Sequence, residues 1–482
     1  MQPAAAPAAR LPSPNEPEAE ARQRLLAEAA HLRFDRAAAA AEAREWTLAV
    51  RSMRGSLSHA DAMLDAFGLA TPEGGALMRL SEALLRTPDR DSAWRLICEN
   101  LTDAQWRAPA SARISVRAAT TLLRWTARAL RSREKRLAFL SAPIVSAVRY
   151  GVASVAEHFI VSTNVQAALA RMARESALRL CSIDCLGESA RTQAQADAYL
   201  RAYDDAIDQL ARQPEAPIHE RHGVSVKLSA LEPRFGPRHR SEYGERLIPR
   251  MRRLAHRAAI GGVALTIDAE EQDRLESTLD IAEALMSDPA TRDWEGLGLV
   301  VQAYGLRALH MIDWIASTAR RCERRVAVRL VKGAYWDTEI KRAQERGLDA
   351  YPVYTDKGAV DVSYLVAAQR LFRHSDVIYP QFATHNAMTI ASVRAMAPVG
   401  AVFEFQRLHG MGEQLYAVAA RKPGFPQVRT YAPVGSHEDL LAYLIRRLLE
   451  NGANSSFVRW FLDPRIPVES LIVDPVAALQ RS

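Results

Sequence analysis

Two hydrophobic periodicities divide the chain. From residue 21 to residue 175, apolar residues recur three and four positions apart and β-branched runs are rare. This spacing is typical of amphipathic α-helices, as in residues 75–85. Residues 1–20 are rich in Ala, Pro and Glu and offer little apolar surface to bury. The pattern therefore predicts a disordered tail over 1–20 and a helical arm and α-domain over 21–175.

From residue 176 to residue 482, short apolar runs rich in β-formers alternate with helical segments. Eight runs leave room for helical crossovers between them, which predicts an α/β fold, a (β/α)8 TIM barrel that follows the all-α region. The runs cover residues 178–183, 224–228, 263–267, 297–303, 326–331, 377–382, 402–405 and 428–431. The alternative is an open doubly wound sheet. Such a sheet usually carries a Gly-rich turn after its first strand, and the sequence has no G-x-G-x-x-G.

Composition narrows the classes of function. The chain is 48% hydrophobic and 25% charged, which is ordinary for a globular protein. Its net charge of +7 comes from scattered arginines that alternate with Glu along predicted helices, so we do not expect a nucleic-acid surface. Cys98, Cys181, Cys185 and Cys322 fit neither a disulfide framework nor a zinc motif, which indicates a reducing cytosol. No apolar run is long enough to cross a membrane.

Polar residues collect at the carboxyl ends of the predicted strands, where barrel enzymes place their working groups. This strand-end ring comprises Asp184, Glu188, Lys227, Asp268, Gln302, Arg329, Lys332, Thr384, His385, Asn386, Glu404, Arg407 and Tyr431. Lys227 and Lys332 are each either a Schiff-base nucleophile or a cation for a substrate carboxylate. No metal-ligand spacing and no nucleophile elbow occur, so we expect no metal. Many cations and amides instead favour an anionic cofactor such as a dinucleotide.

A helix predicted over residues 440–450 separates cleanly into two faces. Tyr443, Arg446, Arg447 and Glu450 fall on one face, and leucines and an isoleucine fill the other. Two guanidiniums beside an aromatic ring suit a small anionic ligand with an apolar body. The alternative is a solvated surface helix with Arg–Glu pairs.

Several long motifs resemble bacterial proline dehydrogenases of the proline utilization A type. They are Val-Lys-Leu-Ser-Ala at 226–230, Ile-Asp-Ala-Glu-Glu at 267–271, Val-Gln-Ala-Tyr at 301–304 and Val-Arg-Leu-Val-Lys-Gly-Ala-Tyr-Trp-Asp at 328–337. Four further segments also match. They are Tyr-Pro-Val-Tyr-Thr at 351–355, Pro-Gln-Phe-Ala-Thr-His-Asn-Ala at 380–387, Tyr-Ala-Pro-Val-Gly at 431–435 and the helix continuing to 454. The resemblance is dense over 178–475 and weaker over the helical region.

The resemblance implies a distorted (β/α)8 barrel that holds noncovalent FAD. The implied reaction is the oxidation of L-proline to Δ1-pyrroline-5-carboxylate, the first step of proline catabolism to glutamate. Hydride passes from ring carbon 5 to flavin N5, and the electrons pass to a membrane quinone. The implied location is the cytoplasm, with peripheral contact to the inner membrane face. An oligomer is compatible with the sequence.

The resemblance also assigns site residues. Lys227, Arg446 and Arg447 would bind the proline carboxylate, and Tyr335, Leu408, Tyr431 and Tyr443 would wall the ring. Asp268 would support the site, Glu450 would orient the arginine pair, and Glu188 would pair with the first arginine and gate the pocket. Arg329 would lie near flavin N5. The remaining FAD contacts would be Gln302, Lys332, Gly333, Ala334, Trp336, Thr384, His385 and Asn386.

Three features depart from the family pattern. No ribbon-helix-helix segment precedes the helical region, so we expect no DNA-binding segment. The sequence stops at Ser482 without the aldehyde dehydrogenase half of the bifunctional relatives, so we expect that half to be absent from this chain. Residues 152–174 also differ from the family pattern.

Two other classes of function stay open: a lyase or aldolase with a Schiff base on Lys227 or Lys332, and a noncatalytic nucleic-acid binder.

Overall fold

Eight parallel strands form a closed barrel in the part of the chain that the structure describes. A computed structural model describes residues 10–14, 16–53, 160–435 and 466–481. The strands follow chain order around the barrel, so each pairs with its sequence neighbour. They are β1 Cys181–Cys185, β2 Gly223–Val226, β3 Ala264–Ile267, β4 Leu297–Gln302, β5 Val326–Val331, β6 Ile378–Ala383, β7 Glu404–Leu408 and β8 Gln427–Val434. The predicted (β/α)8 barrel is confirmed.

Helices connect the strands and precede the barrel. The described helices are Glu18–Ala29, Arg36–Ser52, Val165–Met172, Gln193–Leu210, Leu228–Leu231, Arg240–Ile260, Leu275–Met286, Ala308–Arg321, Trp336–Glu345, Lys357–Arg373, Ala387–Met396, Glu413–Ala419 and Pro475–Arg481. No described helix has the length and hydrophobicity that crossing a bilayer requires. Helical segments predicted within 54–159, and the helix over 440–450 that carries Tyr443, Arg446, Arg447 and Glu450, lie outside the described residues. The first described helix begins at Glu18, inside the predicted tail over 1–20, and the predicted domain boundaries at 20 and 175 stay predictions.

The chain separates into two compact units. One contains residues 1–46, 165–432 and 472–482 and holds the barrel, apart from the last two residues of β8. The other contains residues 47–164 and 433–471. In the described part of the second unit, Val161 donates its N–H to the Pro433 carbonyl at 2.9 Å, and Gly435 donates to the Ser162 carbonyl at 3.1 Å.

An aromatic cluster covers the outer face of β6 and β7. Phe382 and Phe405 alternate with inward-facing residues on neighbouring strands and contact each other at 6.2 Å between ring centroids. Phe403 packs at 5.6 and 5.7 Å against the two rings. Phe425 stacks on Phe405 at 5.4 Å and meets Trp46 of the N-terminal arm edge to face. These rings bury large apolar areas with offset or edge geometry, which fixes this side of the barrel.

The amino end of the barrel is closed by a buried ion pair. Glu404, the first residue of β7, accepts two hydrogen bonds from Arg429 of β8, at 2.7 and 3.0 Å, and both side chains are almost fully buried. Gln381 and Gln427 also donate to this carboxylate. The prediction that Glu404 belongs to the strand-end ring is wrong. The strand begins two residues later than its apolar run indicates, which moves Glu404 to the opposite end of the barrel.

We expect Arg429→Met to lower the free energy of unfolding by about 3–5 kcal/mol, because it leaves the Glu404 carboxylate buried without its cation. Arg320→Met is the matched control. Arg320 also makes a two-point pair, with Asp376 at 2.8 and 2.9 Å, but both partners are about half exposed. Its loss should cost less than about 1 kcal/mol. Urea denaturation of both variants checks this, and equal losses would contradict a special role for the buried pair.

Candidate active site

Lys227 lies at the centre of a polar cluster inside the carboxyl end of the barrel. It directly follows β2, and its Nζ donates to Asp184 at 2.6 Å, to Tyr431 at 3.1 Å and to Asp268 at 3.3 Å. The residue is 7% exposed. Its backbone N–H donates to the Tyr203 hydroxyl at 3.2 Å, which fixes the chain where it leaves the strand. The ammonium group therefore has one geometry, set by three strands.

Arg329 of β5 reaches the same cluster from the other side of the barrel. Its guanidinium donates to Asp268 at 2.7 Å, and to the hydroxyls of Ser182 and Ser225 at 3.1 and 3.0 Å. Both cations lie over the Tyr431 ring, Arg329 at 5.2 Å and Lys227 at 5.8 Å from its centroid. Tyr431 in turn donates its hydroxyl to Asp268 at 2.5 Å. One carboxylate thus binds two cations and a phenol.

The charges in this cluster hold one another in the ionised state. Burial opposes ionisation of Asp268, yet the charges of Lys227 and Arg329 and the Tyr431 hydrogen bond lower its pKa below the usual value. Burial likewise opposes the charged form of Lys227, but attraction by Asp184, Tyr431 and Asp268 raises its pKa well above the usual range. For Tyr431, burial and the two neighbouring carboxylates raise the pKa. Lys227 and Asp268 therefore both stay ionised at neutral pH.

Asp184 and two serines are members of this cluster that the predicted catalytic set omits. Asp184 belongs to the strand-end ring, but Ser182 and Ser225 belong to none of the predicted sets. Their signal is the strand period: Ser182 and Asp184 alternate with the buried Ile183 on β1. Ser182 and Ser225 also contact each other at 2.9 Å. Alternating polar residues in a strand that helices cover predict a polar barrel interior.

Predicted cofactor residues occupy the adjoining ends of β4 and β5. Gln302, the last residue of β4, donates to the Glu270 carbonyl at 2.8 Å, and its Oε1 accepts from the Ala334 N–H at 3.5 Å. Lys332 forms an ion pair with Asp361. Both side chains are thus oriented by neighbouring segments.

Gly333 and Trp336 complete this part of the mouth. Gly333 has φ +128°, and a Cβ there would overlap the Tyr304 ring, so only glycine fits. Trp336 begins the following helix and donates Nε1–H to the Tyr354 carbonyl at 2.7 Å. The loop between them is held against buried aromatic residues on one side.

Thr384, His385 and Asn386 follow β6 and are fixed by local hydrogen bonds. Thr384 Oγ1 accepts from the Asn386 N–H at 3.1 Å. Asn386 Oδ1 caps the helix Ala387–Met396 by accepting from Thr389 at 3.0 Å. His385 Nε2 accepts the N–H of Leu408, the last residue of β7, at 3.1 Å. Since this nitrogen accepts, the neutral ring carries its proton on Nδ1.

The two predicted sets lie on different arcs of the barrel. Substrate residues come mainly from β8, β2 and β3, and cofactor residues come from β4, β5 and β6, with Arg329 in contact with the substrate set. Tyr335 and Glu188 are half-buried, Tyr335 just before the helix after β5 and Glu188 just after β1. Hydrogen bonds join Lys227, Arg329 and Tyr431 to Asp268 on the substrate side, and Gln302 contacts Ala334 on the cofactor side. Tyr443, Arg446, Arg447 and Glu450 are predicted residues that the structure does not describe.

The geometry is unfavourable for the Schiff-base alternative at Lys227. An amine must lose its proton to attack a carbonyl, and the raised pKa of Lys227 keeps it protonated. Lys332 is ion-paired with Asp361 and lies about one-third exposed. Among the described residues, no group of three or more His, Cys, Asp or Glu side chains is arranged to hold a metal ion.

Comparison with known families gives two matches. The family model described as "Proline dehydrogenase" matches residues 166–460. The model described as "DNA-binding domain of Proline dehydrogenase" matches residues 59–175. The expectation that this chain has no DNA-binding segment is therefore wrong. That expectation considered only a ribbon-helix-helix segment ahead of the helices, whereas the match covers the helical region itself.

Long bifunctional proteins are among the relatives. The chain is 42% identical over 453 residues to the bifunctional protein PutA of Salmonella typhimurium, covering 89% of this chain and 34% of the relative. It is 41% identical to the PutA of Rhizobium meliloti, covering 96% of this chain and 39% of the relative. The chain thus spans little more than a third of the length of these curated relatives.

Solved structures agree with the sequence relatives. A crystal structure of a variant of Bradyrhizobium japonicum proline utilization A has 42% identity and a TM-score of 0.77, covering 97% of this chain and 48% of that chain. The structure of proline utilization A from Bdellovibrio bacteriovorus inactivated by N-propargylglycine has 25% identity and a TM-score of 0.75. It covers 92% of this chain and 44% of that chain.

Glu339 is a buried carboxyl group beside the loop that carries Asp268. Its Oε1 accepts the Gln272 N–H at 2.6 Å, which ties the helix after β5 to the loop after β3. Burial, with the nearby charges of Asp273 and Glu271, raises its pKa to about 7 despite that hydrogen bond. The folded protein therefore binds this proton more tightly than the unfolded chain does.

We expect this group to make the free energy of unfolding fall as pH rises from about 4.5 to about 7. Below about pH 4.5 both the folded and the unfolded protein bind this proton, and above about pH 7 neither does. The shift corresponds to about 3 kcal/mol in order of magnitude. Glu339→Gln keeps the acceptor for Gln272 without the charge, so its stability relative to wild type should increase between pH 5 and pH 8. Urea denaturation at both pH values measures this difference. A constant difference would remove Glu339 as the source.

Proposed function

This chain belongs to the proline dehydrogenase family, and on that premise we propose that it oxidises L-proline to Δ1-pyrroline-5-carboxylate with FAD as cofactor. The observation that carries the proposal is the buried cluster in which Lys227 and Arg329, from two different strands, share Asp268. It supplies a fixed ammonium group on the predicted substrate side. It also supplies a guanidinium between that side and the predicted cofactor side.

The substrate carboxylate would be bound by Lys227 together with Arg446 and Arg447. A carboxylate binds cations through charge-assisted hydrogen bonds, and a bidentate guanidinium also sets its orientation. Glu450 would orient the arginine pair, and Glu188 would pair with Arg446 and gate the pocket.

The apolar part of proline would lie among aromatic and aliphatic side chains. Tyr431 already faces the cation pair, Leu408 ends β7 in register with Tyr431, and Tyr335 lies just before the helix after β5. Tyr443 would complete the wall from the helix predicted over 440–450. Walls of this kind exclude water and hold the reacting ring carbon in one place.

The residues present fit FAD by their donor chemistry. Arg329 keeps a buried Nε–H that finds no acceptor within the described part of the chain. Gly333 lets the backbone adopt a conformation closed to other residues, and Ala334 is exposed beside it. Cations and backbone N–H groups are the partners that a pyrophosphate and an electron-rich flavin require. The residues that would hold FAD are Gln302, Arg329, Lys332, Gly333, Ala334, Trp336, Thr384, His385 and Asn386.

The proposed reaction removes two electrons and two protons from proline. Ring carbon 5 loses a hydride, the amine nitrogen loses a proton, and a C=N bond forms between these two atoms. When bound, FAD supplies the two-electron acceptor, and a membrane quinone would reoxidise it. Lys227 cannot take the amine proton, because its raised pKa keeps it protonated, and the lowered pKa of Asp268 makes that carboxylate a weak base. These residues therefore bind and orient.

The proposal includes a cellular setting. Reoxidation by a membrane quinone requires peripheral contact with the inner face of the membrane, so we place the protein in the cytoplasm with access to that surface. Released Δ1-pyrroline-5-carboxylate would add water and open to the aldehyde, which an aldehyde dehydrogenase would oxidise to glutamate. The names of the bifunctional relatives are consistent with a second activity in those longer proteins.

We expect purified protein to show the visible absorbance of bound oxidised flavin, and anaerobic L-proline to bleach it. Hydride transfer to the flavin is the physical cause of the bleaching. Difference spectra recorded with L-proline, and with D-proline as the control, measure it. A colourless protein that added FAD does not reconstitute would exclude the proposed function. Borohydride trapping of substrate on a lysine would support the Schiff-base class instead.

We expect Arg447→Met to raise the KM for L-proline about 10- to 100-fold, because the bound carboxylate loses a charge-assisted partner worth about 1.5–3 kcal/mol. Arg373→Met, which removes an exposed arginine from the end of the helix Lys357–Arg373, is the control and should leave KM unchanged. Steady-state kinetics with an artificial electron acceptor measures both. An unchanged KM in the first variant would take Arg447 out of the substrate site.

A further inference from the structure

We propose that Glu18 in the N-terminal arm is a positioning residue for the cofactor loop, defined as residues 332–336. Glu18 would act through a second segment, residues 354–361, here called the bracing segment. The inference rests on the proposed function, since it concerns how the chain retains FAD. It assigns to the arm a role in cofactor binding through residues that the family resemblance leaves unassigned.

The first link is a two-point contact between the arm and the bracing segment. Glu18, the first residue of the helix Glu18–Ala29, accepts the Thr355 N–H at 2.8 Å on one oxygen and the Thr355 hydroxyl at 2.7 Å on the other. Arg22, one turn further along, lies 3.6 Å from Asp356. A carboxylate that binds both donors of one residue fixes its backbone as well as its side chain.

The second link joins the bracing segment to the cofactor loop. Tyr354, next to Thr355, accepts the Trp336 Nε1–H at 2.7 Å on its carbonyl. Lys357 lies over the Trp336 ring at 5.4 Å from its centroid. Asp361, one turn along the following helix, forms the ion pair with Lys332. Both ends of the cofactor loop are thus held by the bracing segment.

The third link reaches the centre of the loop. Tyr354 donates its N–H to the Tyr304 carbonyl at 2.8 Å, and Val353 forms an isolated antiparallel bridge with Gly305. The Tyr304 ring fills the space that a Cβ on Gly333 would take. Displacing Tyr354 therefore moves both the Trp336 partner and the backbone against which Gly333 packs.

The position of Glu18 suits this role because Glu18 contacts only the exposed side of the bracing segment. Thr355 itself is exposed, whereas Val353 and Tyr354 on its other side are buried. The buried side of the segment is thus fixed by packing, and the exposed side is fixed by the arm. Preorganising a loop lowers the conformational entropy that ligand binding would otherwise cost. Loss of Glu18 should therefore affect FAD retention more than global stability.

The test compares the rate at which the holoenzyme releases FAD in matched variants. Glu18→Ala removes both acceptors, and we expect it to release FAD about 5- to 10-fold faster than wild type, measured as the gain of flavin fluorescence on dilution. Thr355→Val removes only the hydroxyl donor and should give a smaller increase. Glu18→Gln keeps an acceptor for the Thr355 N–H and should release FAD at nearly the wild-type rate.

Glu28→Ala is the control. Glu28 lies on the same arm helix, is half-buried like Glu18, and pairs with Arg370 at 2.7 Å, far along the helix from the bracing segment. We expect it to change the thermal midpoint as much as Glu18→Ala does while leaving FAD release unchanged. Wild-type release from Glu18→Ala, or equal acceleration in both variants, would overturn the proposal. If Glu18→Ala does not fold, the ratio between Thr355→Val and Glu28→Ala decides by the same criterion.

The wild-type spectrum separates this proposal from the proposed function. A wild-type protein that binds no FAD refutes the proposed function. A wild-type protein that binds FAD and is bleached by L-proline, together with a Glu18→Ala variant that releases FAD at the wild-type rate, refutes only the role of the arm.

Discussion

Asp268 holds the active end of the barrel together. Its carboxylate accepts from Lys227, which directly follows β2, from Arg329 of β5 and from Tyr431 of β8. Without this anion, two buried cations would repel each other, and nothing would compensate for the hydration that they lose on burial. Asp184 supplies the second negative charge through its 2.6 Å contact with Lys227. The cluster is therefore neutral, and its geometry is shared among strands that lie far apart in sequence.

This neutrality constrains the proposed chemistry. A cation that already has its anion can still attract a substrate carboxylate, but its raised pKa removes it as a base or nucleophile. At the opposite end of the barrel a buried cation is also paired with an anion, but there the pair closes the interior. There the Glu404 carboxylate accepts from Arg429, Gln381 and Gln427, and both members of the ion pair are almost fully buried. One end of the interior is thus closed by a completed ion pair, whereas the other carries a polar cluster below the mouth.

The sequence predicted the architecture well because each strand corresponds to its own short apolar run. Apolar runs with helical segments between them require a parallel sheet, and eight of them close a barrel. Positions that directly follow a strand, such as Lys227 and Asp268, could be assigned without tertiary information. Glu404 could not, because an apolar run does not fix where hydrogen bonding begins, and a shift of two residues moved it to the other end of the barrel. Ser182 and Ser225 lie inside β1 and β2 and not at the strand ends, so a search for polar residues that follow strands does not find them.

The strand order, the chemical types at the strand ends and, through the long motifs, the family could all be inferred from the amino-acid sequence. Which charges neutralise which depends on the closed barrel. Asp268 is 41 residues from Lys227 and 61 from Arg329 in the sequence, and hydrogen-bond distances between them depend on barrel closure. The same holds for Glu18, which lies 337 residues before Thr355. Local periodicity specifies elements because their backbone geometry repeats. It carries no information on distances across the barrel, which packing of the whole fold sets.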